Sequence, residues 1–227
     1  MGVELSIIMP CYNEEATLPI SIPPLLELLD KEKVSYEVIL VNNGSYDSTP
    51  TVIDSFTTVR RVDVLNNEGY GKGVIAGVKA AKGECVAYMG ADGQITPRDF
   101  MSVWEIAKKI ERHTIVKGLR IVRTEGFSRS FPSWVFNILF AQVFGQISYD
   151  VNGTPKCLHR EDFISLNIES KNSFIDPELL IKAKLCNYRV IEVPLTFYPR
   201  SNGTSTVKVF SKSIEFIKEM IRWRLRL

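Results

Sequence analysis

The chain has 227 residues, 45% of them hydrophobic and 24% charged, and a formal net charge of +2 at pH 7. That length suits one well-cored domain or two small ones, the composition is ordinarily globular, and the near-neutral balance gives no overall bias toward nucleic acid. Cys11, Cys85, Cys157 and Cys186 lie far apart with no C-x-x-C pair, which reads as buried free thiols rather than metal ligands or disulfides. The amino terminus runs straight into a strand, without the basic stretch and apolar core of a signal peptide. Together these point to a reducing, cytosolic compartment. The Asn-x-Ser/Thr triplets at Asn43, Asn152 and Asn202 are then chance matches to a glycosylation signal.

From the amino terminus, strands are predicted near 4–9, 36–41, 60–65, 85–89 and 114–118. Helical segments fall near 14–31, 47–57, 72–82 and 98–112. Asp47-Ser48-Thr49 before Pro50 suits a helix start, because side-chain oxygens cap free N–H groups and proline tolerates the first turn. Pro19, Pro23 and Pro24 make the first helix irregular. Strands alternating with helices of this length imply a doubly wound α/β sheet. Three predicted strands end in polar residues: Leu5–Met9 into Pro10-Cys11-Tyr12-Asn13-Glu14, Glu37–Val41 into Asn42-Asn43-Gly44, and Cys85–Met89 into Gly90-Ala91-Asp92-Gly93-Gln94. Ligands of open parallel sheets bind beyond the carboxyl ends of strands, so these three ends argue for a nucleotide site built by one sheet.

Beyond residue 118 the pattern is more mixed. Phe131 to Tyr149 carries no charge for 19 residues, close to the ~20 a membrane span needs. On a helix, however, Ser133 and Asn137 face one way and Gln142 and Gln146 the other. This favours core or subunit contact (a homo-oligomer) or docking on a membrane surface over a span. Near the carboxyl terminus, Phe210, Ile214, Ile217, Ile221 and Leu225 form one helical stripe, with Phe216, Met220, Trp223 and Leu227 beside it. Lys208, Lys212, Lys218, Arg222 and Arg226 gather on the other side. Such a helix either docks in the headgroup region of an anionic bilayer or packs on the sheet with a solvated basic face.

The order of the motifs resembles the family 2 glycosyltransferases of the GT-A fold, within the branch of polyprenyl-phosphate sugar synthases such as dolichyl-phosphate mannose synthase. Pro10 to Glu14, Val41 to Asp47, Gly90 to Asp92, Arg120, Glu192-Val193-Pro194 and Arg200 to Ser205 carry the resemblance, from residue 5 to about 210. It implies a Rossmann-like, mostly parallel central sheet with helices on both faces. Residues 1–227 then form a single domain, with 1–118 as its nucleotide-binding half and 119–227 as its acceptor-binding, membrane-facing half.

The resemblance also assigns residues. Pro10, Tyr12, Glu14, Val41 and Asn43 would cradle the nucleoside, and Ala91 and Asp92 would lie against the nucleotide sugar. Asp92 and Gln94 would hold Mg2+ or Mn2+, with Gly90 standing where the family has a first acid. Gly69-Tyr70-Gly71-Lys72-Gly73 lacks the Walker spacing and the dinucleotide fingerprint, and Lys72 is either a diphosphate contact or a surface charge. Arg120, Arg129, Arg200 and Lys208 are candidates for the phosphates, since guanidinium groups suit bidentate phosphate contact. Asp150 stands beside the acceptor site, as a general base for a hydroxyl acceptor or an orienting group for a phosphate. Asp176 and Glu178 are alternative acids, and His113 and His159 read as structural. Asp150, Asp92 and Arg120 are thus the expected catalytic set.

The expected reaction is transfer of a sugar from a nucleotide sugar to a polyprenyl (dolichyl-type) phosphate, with inversion, at the cytosolic face of a membrane. Two further readings fit the same residues. One is a family 2 transferase acting on a glycan or glycolipid hydroxyl. The other is a catalytically weakened binding subunit, to which Gly90, Asn42 and Asn43 point.

Overall fold

The computed structural model describes residues 2–123, 127–199 and 209–226, with the backbone alone for residues 123, 127–131 and 209–214. In chain order the elements are β1 (Leu5–Cys11), α1 (Leu18–Lys31), β2 (Tyr36–Asn43), α2 (Thr49–Asp54) and β3 (Val59–Val64). Next come α3 (Tyr70–Ala80), β4 (Cys85–Tyr88), α4 (Pro97–Ala107), β5 (Thr114–Arg123) and α5 (Phe127–Phe144). The chain continues with β6 (Lys156–His159), α6 (Arg160–Ser165), α7 (Ile175–Leu185), β7 (Arg189–Phe197) and α8 (Val209–Arg226).

The described strands form one seven-stranded sheet in the order β3-β2-β1-β4-β6-β5-β7. β1 pairs in parallel with β2 and β4, β2 with β3, and β5 with β7. Only β6 runs against its neighbours, β4 and β5. Because β6 is inserted between β4 and β5, strands from both halves of the chain interleave, and position 118 falls inside β5. The carboxyl ends of β1, β2, β4 and β5 therefore share one edge with the start of β6. That edge is the crevice where an open parallel sheet takes its ligand.

α1 and α4 cover one face, burying Leu18, Ile22, Leu25 and Leu29 from the first and Phe100, Val103 and Trp104 from the second. α1 stays helical through Pro23 and Pro24. Its buried stripe at helical spacing outweighs the lost backbone bonds, while Pro19 sits in the first turn, where no donor is needed. α2 begins as expected, with Asp47 Oδ1 accepting from Thr49 N at 3.0 Å. α3 and α7 cover the opposite face around Val74, Val78, Ile175 and Leu179.

A third cluster joins α5, α7 and α8 through Phe140, Phe144, Leu180, Met220 and Trp223. The uncharged 131–149 run is thus mainly helix α5, whose Phe140 and Phe144 are core, while Trp134 remains 59% exposed. No described helix is long and apolar enough to cross a membrane. The two apolar stripes of the last helix divide the expected alternatives between them. Met220 and Trp223 pack inward with Phe216, while Ile217, Ile221 and Leu225 are 44%, 56% and 82% exposed.

Candidate active site

The loops after β1 and β2 are laced into one unit. Asn13 N donates to Ser45 Oγ at 3.1 Å, Asn13 Oδ1 accepts from Tyr46 N at 3.1 Å, and Thr49 Oγ1 accepts from Glu14 N at 2.8 Å. Asn13 adopts a left-handed φ of 56°, which asparagine tolerates better than most residues. Its side chain holds the neighbouring loop, and the N-cap of α1 is Thr17, with no side-chain cap bond. Pro10 and Val41 are paired positions of β1 and β2 in the buried floor of this unit. Tyr12 stands half-buried, edge-on to Tyr46 at 6.0 Å between ring centroids.

The two asparagines after Val41 divide their tasks. Asn42 donates to Asp63 Oδ1 at 2.8 Å and accepts from Ser45 N at 3.1 Å, so it is committed to the turn. Asn43 donates through Nδ2 to Gly69 O at 3.0 Å, which fixes the amide, and its Oδ1 is buried with no partner. Of the pair, Asn43 is the one whose acceptor is left over once the protein's own bonds are made.

Asp92 lies in the turn after β4, with Gln94 N donating to its Oδ1 at 3.3 Å. Gln94 is buried and ties this turn to the end of β7. Its Nε2 donates to Tyr198 O at 3.0 Å, and Tyr198 N donates to Gln94 O at 3.1 Å. Ala91 is buried, and its carbonyl accepts from Ser21 Oγ at 3.3 Å. A side chain at position 90 would begin 3.3 Å from Asp92 Oδ1, so an acid there would stand beside the Asp92 carboxylate. Among the described residues no group of three or more His, Cys, Asp or Glu could hold a metal ion.

The glycine-rich segment at the start of α3 serves close packing. A Cβ on Gly71 would overlap Ser170 O, and one on Gly73 would come 2.9 Å from Pro10 Cβ. Lys72 N donates to Lys171 O at 2.8 Å, and its ammonium pairs with Glu68 at 3.1 Å. Lys72 therefore stands at the surface in an ion pair.

Across the crevice, Arg120 and Asp150 are brought together. Arg120 Nε donates to Asp150 Oδ2 and one terminal nitrogen to Oδ1, both at 2.7 Å, and Arg120 N also reaches Oδ2 at 3.1 Å. The guanidinium lies 5.0 Å from the centre of the Phe197 ring. This fork-to-fork pair holds both groups rigidly.

Behind it are three charged residues whose roles the sequence reading missed. Lys117 is fully buried and donates to Asp150 O at 2.5 Å and to Glu192 Oε1 at 3.0 Å. Glu192 also accepts from Ser148 Oγ at 2.6 Å and Tyr149 N at 3.0 Å. Lys156 is likewise buried, donating to Gly153 O at 2.8 Å and to Asp176 Oδ1 at 2.7 Å, where Tyr88 Oη also donates at 3.0 Å. Burial lowers both lysines, Lys156 to about 8, against the opposing pull of their carboxylates. Burial works to raise Glu192, yet Lys117, Ser148 and Tyr149 N hold it below its ordinary value. The available signal was a lysine set inside an apolar strand run, at Val116-Lys117 and Lys156-Cys157.

The alternative acids are committed elsewhere, Asp176 to Lys156 and Tyr88, and Glu178 to the backbone N–H groups of Glu169 and Ser170 and to Lys182. His113 packs edge-on to Tyr188 and His159 meets Ile110 O at 3.2 Å, both structural. Cys11, Cys85 and Cys157 are buried free thiols, and Cys186 is free and exposed. Arg200 and Lys208 lie outside the described residues, as does the side chain of Arg129.

The chain and its fold have known counterparts. The chain is 29% identical over 99% of its length to a dolichyl-phosphate beta-glucosyltransferase of Dictyostelium discoideum. It is 27% identical over 97% to a dodecaprenyl-phosphate galacturonate synthase of Rhizobium johnstonii, and 32% identical over 88% to an undecaprenyl-phosphate 4-deoxy-4-formamido-L-arabinose transferase of Aeromonas hydrophila. It spans 75%, 66% and 62% of those proteins. Among solved structures it is similar to glucosyl-3-phosphoglycerate synthase from Mycobacterium tuberculosis in complex with Mn2+, uridine diphosphate and phosphoglyceric acid. The TM-score is 0.76 at 20% identity, over 98% of this chain and 78% of that one, a likeness of fold. A family model described as glycosyl transferase family 2 matches residues 6–167. That is well over half the chain, and it belongs to glycosyl transferase family 2.

Proposed function

We propose that the protein transfers a sugar from a nucleotide sugar to a polyprenyl phosphate of the dolichyl type, inverting the anomeric carbon, at a membrane surface. The observation that carries this is the meeting of two environments at one sheet edge. The crevice of Asp92, Asn43 and the Arg120–Asp150 pair is polar. Beside it, a groove of about 470 Å³ runs along α5 from Trp134 and Ile138 to Ser148 and Tyr149, the residue before Asp150. A water-soluble donor and an apolar-tailed acceptor need such a junction. The names of the relatives, each a transferase or synthase for a polyprenyl-type phosphate, support the same acceptor class.

The residues also fit a divalent cation of one kind. Mg2+ and Mn2+ are commonly held by one or two carboxylates plus substrate phosphates. One carboxylate at Asp92, beside the fixed amide of Gln94, matches that donor set better than an all-protein cage. When bound, the cation would neutralise charge developing on the leaving diphosphate.

Tyr12, Glu14 and Asn43 would seat the nucleoside over Pro10 and Val41, with Ala91 forming part of the floor. Both Asp150 oxygens accept from Arg120, which suits a positioning pair rather than a proton acceptor. A phosphate acceptor is already ionised and needs no base. Arg120, kept in place by Asp150 and Phe197, would orient the incoming phosphate. Arg200 and Lys208 remain proposed phosphate contacts, and Lys72 a diphosphate contact once released from Glu68.

The test is transfer from UDP-glucose, UDP-galactose and GDP-mannose, with and without a polyprenyl phosphate, by wild type and Asp92→Ala. Wild type should form a polyprenyl-phosphate sugar with one donor and Asp92→Ala should form almost none while remaining folded. Transfer to a glycolipid hydroxyl but not to the phosphate would overturn the acceptor assignment.

A further inference from the structure

Among the described residues, four buried side-chain polar atoms have no hydrogen-bond partner: Asn43 Oδ1, Tyr70 Oη, Asn152 Oδ1 and Arg160 Nε. Asn43 belongs to the nucleoside reading, and Arg160 lies at the opposite edge of the sheet, its N–H donating to Glu84 O. Tyr70 and Asn152 are left, and each is near in the chain to a residue of the crevice: Tyr70 follows Gly69, whose carbonyl accepts from Asn43, and Asn152 lies two residues past Asp150, which holds Arg120.

Tyr70 opens α3 and its ring packs on the α3–α7 core beside Tyr88. Its hydroxyl is within electrostatic reach of Asp176 and Asp92. Asp176 Oδ1 is already taken up by Lys156 and Tyr88. Burial first, then these two carboxylates, push the phenol well above its ordinary value, so it keeps its proton and remains a donor. Asn152 sits between Asp150 and Gly153 on a loop with little freedom. Gly153 O accepts from Lys156, and a Cβ at Gly153 would overlap Gly118 O and come 2.8 Å from Asp150 Oδ2. One orphan donor therefore stands at the start of α3, and one orphan acceptor belongs to the Asp150 loop.

Buried polar atoms find partners in the native state or in a ligand. A hexose ring offers hydroxyls that both donate and accept, and the transferred sugar must lie between the diphosphate end and the acceptor end of the crevice. We propose that Tyr70 Oη and Asn152 Oδ1 are specificity-determining contacts to hydroxyls of the sugar being transferred. This rests on the transferase reading above and names what selects its donor.

The experiment compares each nucleotide sugar with its own nucleoside diphosphate by calorimetry: UDP-glucose and UDP-galactose against UDP, and GDP-mannose against GDP, with Mg2+ present. Tyr70→Phe and Asn152→Ala should each weaken the preferred nucleotide sugar about tenfold, the size of one lost hydrogen bond. Affinity for the matching nucleoside diphosphate should stay within about twofold on the same scale. Tyr70→Phe should melt no lower than wild type, because it removes a group with no protein partner. Equal weakening of sugar nucleotide and diphosphate, or a lowered Tm with an unchanged ratio of the two, would overturn the inference. Wild type that binds none of these ligands would overturn the transferase reading itself, and this inference with it.

Discussion

Lys156 and Asp176 hold opposite charges 2.7 Å apart where both side chains are almost wholly shielded from water. Removing one partner strands the other, which costs about 3–5 kcal/mol, whereas replacing both with apolar groups restores much of that. Lys156→Met should therefore destabilise strongly in urea unfolding, and the double variant Lys156→Met/Asp176→Leu should recover most of the loss. A double variant no more stable than the single one would show that the pair has a further structural task. The pair also sets a pH dependence. Lys156 has its native value lowered to about 8 from 10.5, mainly by burial. Between those values the unfolded chain binds more protons than the native one, so this group makes stability rise with pH across about 8 to 10.5. The difference between wild type and the double variant should show that rise, with a slope of at most about 1.4 kcal/mol per pH unit. At Arg120 the geometry rather than the charge is predicted to matter. Arg120→Lys keeps the charge but cannot form the bidentate bond to Asp150, so kcat should fall about tenfold or more. Retained kcat would remove the pair from the positioning role.

At the scale of elements, α3 lies unusually close to the sheet and to the 170–172 segment because its facing residues have no side chains. A Cβ on Gly77 would overlap Ile8 Cγ2 in the core, while one on Gly71 would overlap the backbone of Ser170. Gly77→Ala should cost about 1–3 kcal/mol as an overpacking change and leave nucleotide affinity intact. Gly71→Ala should lower stability too, and in addition weaken nucleotide-sugar binding, because it moves the residue next to Tyr70. Chemical unfolding and calorimetry on the two variants separate these effects, and identical profiles would show that the start of α3 does not touch the ligand. The alternation of strands and helices up to residue 118 was legible because each element carries its own apolar period. β6 was not, since Lys156-Cys157-Leu158-His159 is four residues long and begins with a lysine. Only its place between β4 and β5, where Asp176 meets that lysine, makes it a strand.

For the whole molecule, α8 presents two apolar stripes and spends one of them on the protein. Met220 and Trp223 are buried, whereas Ile217, Ile221 and Leu225 face outward beside exposed Lys218 and Arg222. If that outer stripe seats the enzyme on an anionic bilayer, changing Ile217, Ile221 and Leu225 together to Ser should leave Tm near wild type. The same change should weaken liposome binding and lower transfer to a long polyprenyl phosphate. Lys218→Glu with Arg222→Glu should act in the same direction, at roughly 1 kcal/mol per charge near the surface. Unchanged liposome binding in both variants would assign the stripe to another surface.

The chain by itself determined the sheet class and the polar strand ends at Asn13, Asn43 and Asp92, because periodicity and turn chemistry act over a few neighbouring residues. It also carried the basic and apolar faces of the last helix. Tertiary structure alone decided which of two adjacent apolar stripes is core, since both have the same period and only the position of α5 and α7 distinguishes them. It likewise joined Arg120 to Asp150, thirty positions apart, and Lys117 to Glu192, seventy-five apart. Pairings of that kind depend on how strands are ordered across the sheet, which no local pattern records. The same ordering left Tyr70 Oη and Asn152 Oδ1 buried without protein partners, and so marked two residues whose composition and spacing gave no sign of a role.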